Sequence, residues 1–520
     1  AESGDIESCY CLGDMIECGR VVRQDLQEAL KWYEFAATHG HTDALHAMGR
    51  INHFYFHNYI KALEYYSRAA DAGQLISMNN MGLLYENGLG VEKDVERAVS
   101  LYRRAAELGN SIAQNNMGIT YEYGTGVVKD YDEAFKWYLM GAVQGEKGAM
   151  NNTGRMYYNG NGVEQSYEKA FEWYIKAADA GNGYAMNNSG YMYENGEYVA
   201  RDDEKALEYY KRSAALGIPP GQNNMGRMYY NGRAVAQDYK EAAVWYRRAA
   251  YNGNKHAQNN LGRLYEQGLG VDKDYKQALE WFHKAAAQSY PPAWNNVGRM
   301  YYDGKGVTQD YEEARKYYLK AAGAGDVAAA SNLGWIYEFG MGVDKDYSEA
   351  FKWYMYGAER DDGYSQNRIG LMYHYGKGIL PNNEKAVFWY SKAIERNNAD
   401  AMYNLGVLHH EKRDFPTALD WYIKAAEAGS STAQNYLGGI YEHGKGVWQD
   451  DFTAVKYYKM SADKMNAKGL ASLAWMYFNG KGVEQDYQEA IRLYRLSGDK
   501  GDEEGYTRAL EIERFLLLGE

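Results

Sequence analysis

A glycine returns along this chain at positions 13, 49, 82, 118, 154, 190, 226, 262, 298, 334, 370, 406 and 438, with Ala474 in the fourteenth place, and nearly every interval is 36 residues. A fixed period in this range is the signature of a solenoid, in which one supersecondary unit buries its apolar face only against its neighbours. The chain has 520 residues, enough for several globular domains, but no Pro/Ser-rich linker interrupts it. A single array is therefore expected over residues 1–501.

Within one unit the first helix is expected over 149–159, ending at "NGNGV", where Gly160 and Gly162 can take the positive φ that stops a helix. These glycine pairs are not a phosphate loop, because no strand precedes them and no Lys-Ser/Thr follows. Next come "KDYDEA", "QDYEEA" and "KDYSEA", which place Asp130, Asp310 and Asp346 at helix N-caps with acidic residues in the first turn. The second helix carries Ala170, Trp173, Tyr174, Ala177 and Ala178, an apolar stripe at helical spacing, and ends at Gly181. Tyrosine recurs at one first-helix position (Tyr85, Tyr121, Tyr157, Tyr193, Tyr229, Tyr265, Tyr301, Tyr337) and at one second-helix position (Tyr102, Tyr138, Tyr174, Tyr210), and both columns read as core packing. The fold class is all-α, about fourteen two-helix repeats.

Departures from the period are few. Two units shrink to 33 and 32 residues, at "INHFYFHNYIKALEYY" and "VLHHEKRDFPTALDWY", each losing the glycine-paired loop, which is expected to change the local pitch. His409 and His410 in the second of these read as surface histidines, since adjacent residues do not share a helix face. Residues 502–520 abandon the repeat and read as a capping helix, with Leu510, Phe515 and Leu516–Leu518 covering the last unit. Cys9, Cys11 and Cys18 all lie in the first unit and read as small buried or half-buried thiols rather than a disulfide framework or a metal set. "AESGD" at residues 1–5 aligns with "AELGN" at 106–110, the end of a unit, so the sequence is expected to continue a longer native one.

Formal net charge is −13 with the two signs interspersed, which argues against nucleic acid or an anionic membrane as partner. No apolar run reaches the roughly 18–20 residues of a membrane span. No nucleophile–base pair, ligand set or isolated carboxylate dyad stands apart from the repeat pattern, so neither catalysis nor a metal or cofactor is expected.

The segment "AQNNLGRLYEQGLGVDKDYKQALEWFHKAAAQ" resembles the Sel-one-like repeat (SLR), a relative of the tetratricopeptide repeat, and the resemblance extends over essentially the whole chain. It implies a right-handed superhelix of α-hairpins whose first helices line a concave surface, used as an adaptor or scaffold for other proteins. Some members carry a disulfide between the end of one repeat and the next helix; Cys9 occupies one of those places but Ala1 stands at the other, so that staple is not implied. Tetratricopeptide relatives use the asparagine two places before the repeat glycine to bond the backbone of an extended peptide. By position that residue is Asn80, Asn116, Asn152, Asn188, Asn224, Asn260, Asn296, Asn332 or Asn404. A second column one place earlier (Asn79, Asn115, Asn151, Asn187, Asn223, Asn259, Asn295, Asn367, Asn435) departs from the family pattern, and the resemblance assigns it no role.

On a helical wheel of ~100° per residue, Ala149, Thr153, Met156 and Tyr157 occupy the packed arc and Asn151, Asn152, Arg155, Tyr158 and Asn159 the opposite one. Read across units, the centre of that second face is Arg155, Tyr191, Arg227, Arg263, Arg299 and Trp335, and its neighbour is Tyr158, Glu194, Tyr230, Glu266, Tyr302 and Glu338. Asparagine, arginine and tyrosine make a hydrogen-bonding and stacking surface of hot-spot types. The expected function is a protein-binding scaffold that holds an extended peptide in the concave groove, with the asparagines as backbone contacts and Arg155, Arg227, Arg263 and Arg299 as anchors for an acidic or phosphorylated ligand. Two alternatives stay open: carbohydrate binding, and a regulatory or targeting array belonging to a larger enzyme. For the asparagine nearer the glycine, a structural bond to the next repeat's backbone is an equal expectation; for the arginines the competing account is an exposed pairing with a glutamate such as Glu194 or Glu266, which would merely neutralise the groove and is worth little.

Overall fold

The computed structural model describes residues 5–20 and 23–518, and those residues form helices and no strand. The helices are nearly all 13 residues long and come in pairs, one pair per glycine of the repeat. In the fifth unit the pair is Lys147–Asn159 and Tyr167–Asp179. Local sequence sets these limits. Gly160 ends the first helix at φ 71° and Gly162 follows at φ 66°. A Cβ on Gly162 would strike the backbone of Tyr131, where the preceding unit's second helix begins, so this glycine lets the loop seat on its neighbour. The expected caps are present: the Asp130 carboxylate accepts from the backbone N–H groups of Asp132 and Glu133 at 2.9 and 3.1 Å, and Asp310 and Asp346 cap in the same way.

The chain divides into two compact units, one made of residues 1–264 and 268–272, the other of residues 265–267 and 273–520. Within each, every helix packs on the helices before and after it, and successive first helices also touch, as Ser111–Tyr123 does Lys147–Asn159 and Ala399–Glu411 does Ser431–His443. Each unit is thus an α-solenoid with a continuous row of first helices. Its core is the second-helix tyrosine column: Tyr102, Tyr138, Tyr174 and Tyr210 are buried, each ring lying against the repeat glycine of its own unit. A Cβ on Gly154 would sit 2.8 Å from the Tyr174 ring, which is why the period is written in glycine.

Several expectations change in detail. Of the first-helix tyrosines only Tyr85 is fully buried; the others are half-buried, and two of them stack on the second helix of their own repeat, Tyr193 on Tyr209 and Tyr301 on Tyr317, each with centroids 5.8 Å apart. Cys9 is buried, but Cys11 and Cys18 are exposed. The Ala1 place of the absent disulfide lies outside the described residues. The last helix, Gly505–Leu518, packs on Tyr487–Asp499 through Ala509 and Ile512, whereas Leu510, Leu516 and Leu517 are exposed and Phe515 meets only the rings of Phe478 and Tyr487; the Leu518 side chain is outside the described residues. A helix packed mainly on one neighbour buries one narrow stripe, and the small Ala509 lets it approach closely.

Candidate functional site

The asparagine columns lie half-buried to buried along the first-helix row and bond to each other. The asparagine nearer the glycine donates its Nδ2 to the Oδ1 of the earlier column in the preceding unit: Asn116 to Asn79 (2.8 Å), Asn152 to Asn115 (2.9 Å), Asn188 to Asn151 (3.0 Å), Asn224 to Asn187 (2.8 Å) and Asn260 to Asn223 (3.2 Å). Asn332 to Asn295 and Asn404 to Asn367 repeat the bond in the second compact unit, that of residues 265–267 and 273–520. Within two of the pairs, Asn187 to Asn188 and Asn223 to Asn224, a longer bond of 3.4 Å links the steps, so the amides run as a chain from Asn260 to Asn151. Asn259 and Asn296 are not free either. The partner of the near-glycine asparagine is therefore a side chain of the preceding repeat, not the backbone of the next one. Two amides per helix are needed because one donates backward and the other accepts from ahead, which explains the column that the family pattern leaves without a role.

The arginines divide. Arg155 forks onto Glu122 with contacts of 2.5 and 2.6 Å, Arg227 pairs with Glu194, and Arg299 meets Glu266 at 2.7 Å. In each pair the carboxylate belongs to the preceding unit and is buried; the Glu122 side chain is 6% exposed. A second-helix tyrosine completes the group, Tyr138 donating to Glu122 and Tyr210 to Glu194, both at 2.7 Å. The first unit repeats it with Glu17, Tyr33 and Arg50, and in the tenth Arg368 serves Glu338 beside Tyr354. Burial pulls the Glu122 carboxyl up, but the Arg155 fork and the Tyr138 phenol outweigh it and hold the group below its ordinary value. Burial and the neighbouring carboxylate push the Tyr138 phenol far up, so it stays a donor. Pairing with glutamate, the alternative weighed for the arginines, thus describes three of the four, and the glutamates are interior groups. Among the described residues Arg263 has no ion pair, because the preceding unit offers it Tyr230 where the others offer glutamate.

Where tyrosine replaces that glutamate, space opens. Three cavities sit at this place in the fifth, seventh and ninth units, of about 320, 180 and 400 Å³. The first is lined by Arg155, Tyr158, Tyr174, Asn187 and Tyr191, the second by Arg227, Tyr230, Tyr246, Asn260 and Arg263, and the third by Arg299, Tyr302, Tyr318, Asn332 and Trp335. Tyr158 donates to Glu197 at 3.1 Å and Tyr302 accepts from the Trp335 indole at 2.9 Å. Hence Tyr158, Tyr191, Tyr230 and Tyr302 are brought to open space, while Asn115, Asn116, Asn151 and Asn152 serve the ladder and line none of these three. A larger apolar cavity of about 510 Å³ lies at the shortened twelfth unit, between Phe415, Leu419, Tyr422, Tyr436 and Ile440. The second glycine of the other paired loops, such as Gly162, Gly306 and Gly482, seats on the preceding second helix, but a Cβ on Gly446 would meet nothing within 4 Å. The missing loop residues were legible in the sequence; the void they leave was not.

A family model described as Sel1 repeat matches fourteen successive segments, from residues 6–41 to residues 467–502. Among solved structures, c5321, a protective antigen present in uropathogenic Escherichia coli strains and displaying an SLR fold, is 33% identical; the match covers 80% of this chain and 90% of that one, with a TM-score of 0.54. A Sel1 repeat protein from Oxalobacter formigenes is 28% identical over 64% of this chain and 93% of that one, with a TM-score of 0.44. A curated protein of Candida glabrata, the ERAD-associated E3 ubiquitin-protein ligase component HRD3, is 43% identical over 70 residues, which are 14% of this chain and only 8% of that relative's length.

Proposed function

We propose that this chain, which belongs to the Sel1 repeat family, is a non-catalytic scaffold that holds an extended segment of a partner polypeptide along its first-helix row. The observation that carries this reading is the recurrence of a cavity in alternate units, each lined by tyrosines, an asparagine and an arginine on one face. Such side chains offer ring faces and donors to a bound chain at little cost in side-chain entropy. A repeated cavity suits a ligand that is itself extended rather than a single small molecule. The reading is non-catalytic because Glu122, Glu194 and Glu266 on this face are each held by an arginine of the following repeat, and Asp303, a carboxylate lining the third cavity, is paired with Lys305 at 2.7 Å. The Candida glabrata relative is by name a ligase component, in keeping with a protein that works by holding others. Among the described residues, no helix is long and apolar enough to cross a membrane.

The test is selection of binders from a random peptide library on the immobilised chain, beside a glycan array, with the contact surface mapped by hydrogen exchange. Protection of the first helices Lys147–Asn159, Pro219–Asn231 and Pro291–Asp303 by selected peptides is the expected result. Protection confined to second helices, or glycans and no peptides protecting that row, overturns the reading.

A further inference from the structure

We infer that the cavity of the seventh unit is a binding site for one carboxylate group of the partner, held by Arg263 and Tyr246 in the place that a glutamate of the chain itself occupies in other units. The inference rests on the polypeptide reading above and deepens it. The repeats supply the template. Four, twenty and thirty-seven residues after a repeat glycine stand the three members of the internal groups in the first, fourth and sixth units: Glu17, Tyr33 and Arg50 after Gly13, Glu122, Tyr138 and Arg155 after Gly118, and Glu194, Tyr210 and Arg227 after Gly190. The same offsets from Gly226 give Tyr230, Tyr246 and Arg263. Both donors are kept and the acceptor is gone.

The other tyrosine-bearing units do not keep both donors. After Gly154 the three places are Tyr158, Tyr174 and Tyr191, and after Gly298 they are Tyr302, Tyr318 and Trp335. There the arginine disappears along with the glutamate. Only in the seventh unit does a guanidinium remain with no carboxylate in front of it.

The geometry agrees. Tyr246 is 3% exposed, its ring lies against Gly226, and it lines the cavity with no hydrogen-bond partner for its hydroxyl among the described residues. In the units that carry the glutamate that hydroxyl donates to it, as at Tyr138 and Tyr210. Arg227 and Arg263 line the same cavity as Tyr246, and the charges of both act on its phenol. Arg227 is occupied by Glu194, and Arg263 is exposed and, among the described residues, without an ion pair. The volume of about 180 Å³ equals roughly six waters of liquid, room for a carboxylate on a short stem. A planar carboxylate matches an arginine fork plus one phenol, as the internal groups demonstrate. An acidic side chain and a free C-terminus share this chemistry.

Three peptides separate the sources: six glutamates with both ends blocked, six glutamines with both ends blocked, and six alanines ending in a free carboxylate. Each is titrated calorimetrically into the full chain, with inorganic phosphate as a fourth probe. The variants are Arg263→Gln and Tyr230→Glu, the latter supplying from within the glutamate that the unit lacks. One of the two carboxylate peptides is expected to bind at least about ten-fold more tightly than hexaglutamine. Both variants should lose that advantage, and Tyr230→Glu should hold or raise the melting temperature as it closes a further Tyr–Glu–Arg group. Equal binding of all peptides, a carboxylate preference untouched by both variants, or binding of phosphate alone overturns the inference. Library peptides that protect the first helices equally in wild type and in both variants would sink the inference and leave the scaffold reading standing.

Discussion

Arg155 and Arg263 hold the same place in their repeats, and replacing each by glutamine should give opposite results. Arg155 closes two contacts of 2.5 and 2.6 Å on Glu122, whose side chain is 6% exposed, while its own side chain is 30% exposed. Removing one partner of a buried pair costs about 3–5 kcal/mol because the other charge is left without compensation. Water reaches the Arg155 end, and Tyr138 still donates to Glu122, so about 2–3 kcal/mol is the expected loss. Arg263 has no carboxylate to abandon, and Arg263→Gln should cost under about 0.5 kcal/mol, the usual range for a surface change. Urea unfolding gives the totals, and hydrogen exchange gives the location. In a solenoid the loss should stay with the damaged interface, in helices Ser111–Tyr123 and Lys147–Asn159. A cycle with Glu122→Gln should show coupling of about 1.5 kcal/mol or more. Equal costs for the two arginines, or coupling near zero, would refute the claim that buried glutamates join the repeats.

Two further outcomes follow from the same contacts. Asn187→Ala with Asn223→Ala removes the acceptors of Asn224 and Asn260, two half-buried bonds of about 0.5–1.5 kcal/mol each, so the melting temperature should fall; an unchanged melting temperature with weaker peptide binding would return these residues to the ligand. Glu122 titrates below its ordinary 4.5 in the folded chain, so its contribution is present above that value and lost as pH falls through the lower folded value. Exchange protection at the fourth and fifth units should therefore decline below about pH 4.5, and less steeply in Arg155→Gln, whose folded carboxyl has lost its main source of depression.

The fold was legible because its signals are local and repeated. Gly160 and Gly162 stop one helix, Asp130 starts another, and fourteen copies of that grammar leave little else to form. The candidate face was legible only as a face. The wheel separates Asn151, Arg155 and Tyr158 from Ala149 and Met156, and the structure keeps that division. A wheel describes one helix, however, and the partners of these residues lie on neighbouring repeats: Glu122 33 positions before Arg155, Asn188 37 positions after Asn151, and Glu197 39 positions after Tyr158. The exposed pairing weighed for the arginines understated the matter, since the neighbouring first helix buries Glu122, Glu194 and Glu266 almost completely.

By itself, then, the sequence determined the period, the helix limits, and which side chains share the first-helix face. Each is a relation among residues on one helix or one turn, governed by backbone dihedrals and helical spacing. The tertiary structure decided which of those side chains are already spent on one another: the asparagines as a chain of amides, and three of the four arginines on carboxylates of the preceding repeat. It also decided that Arg263 and Tyr246 are not spent. That outcome depends on stacking one hairpin on the next, which sets a donor on one helix against an acceptor, or against empty space, on another.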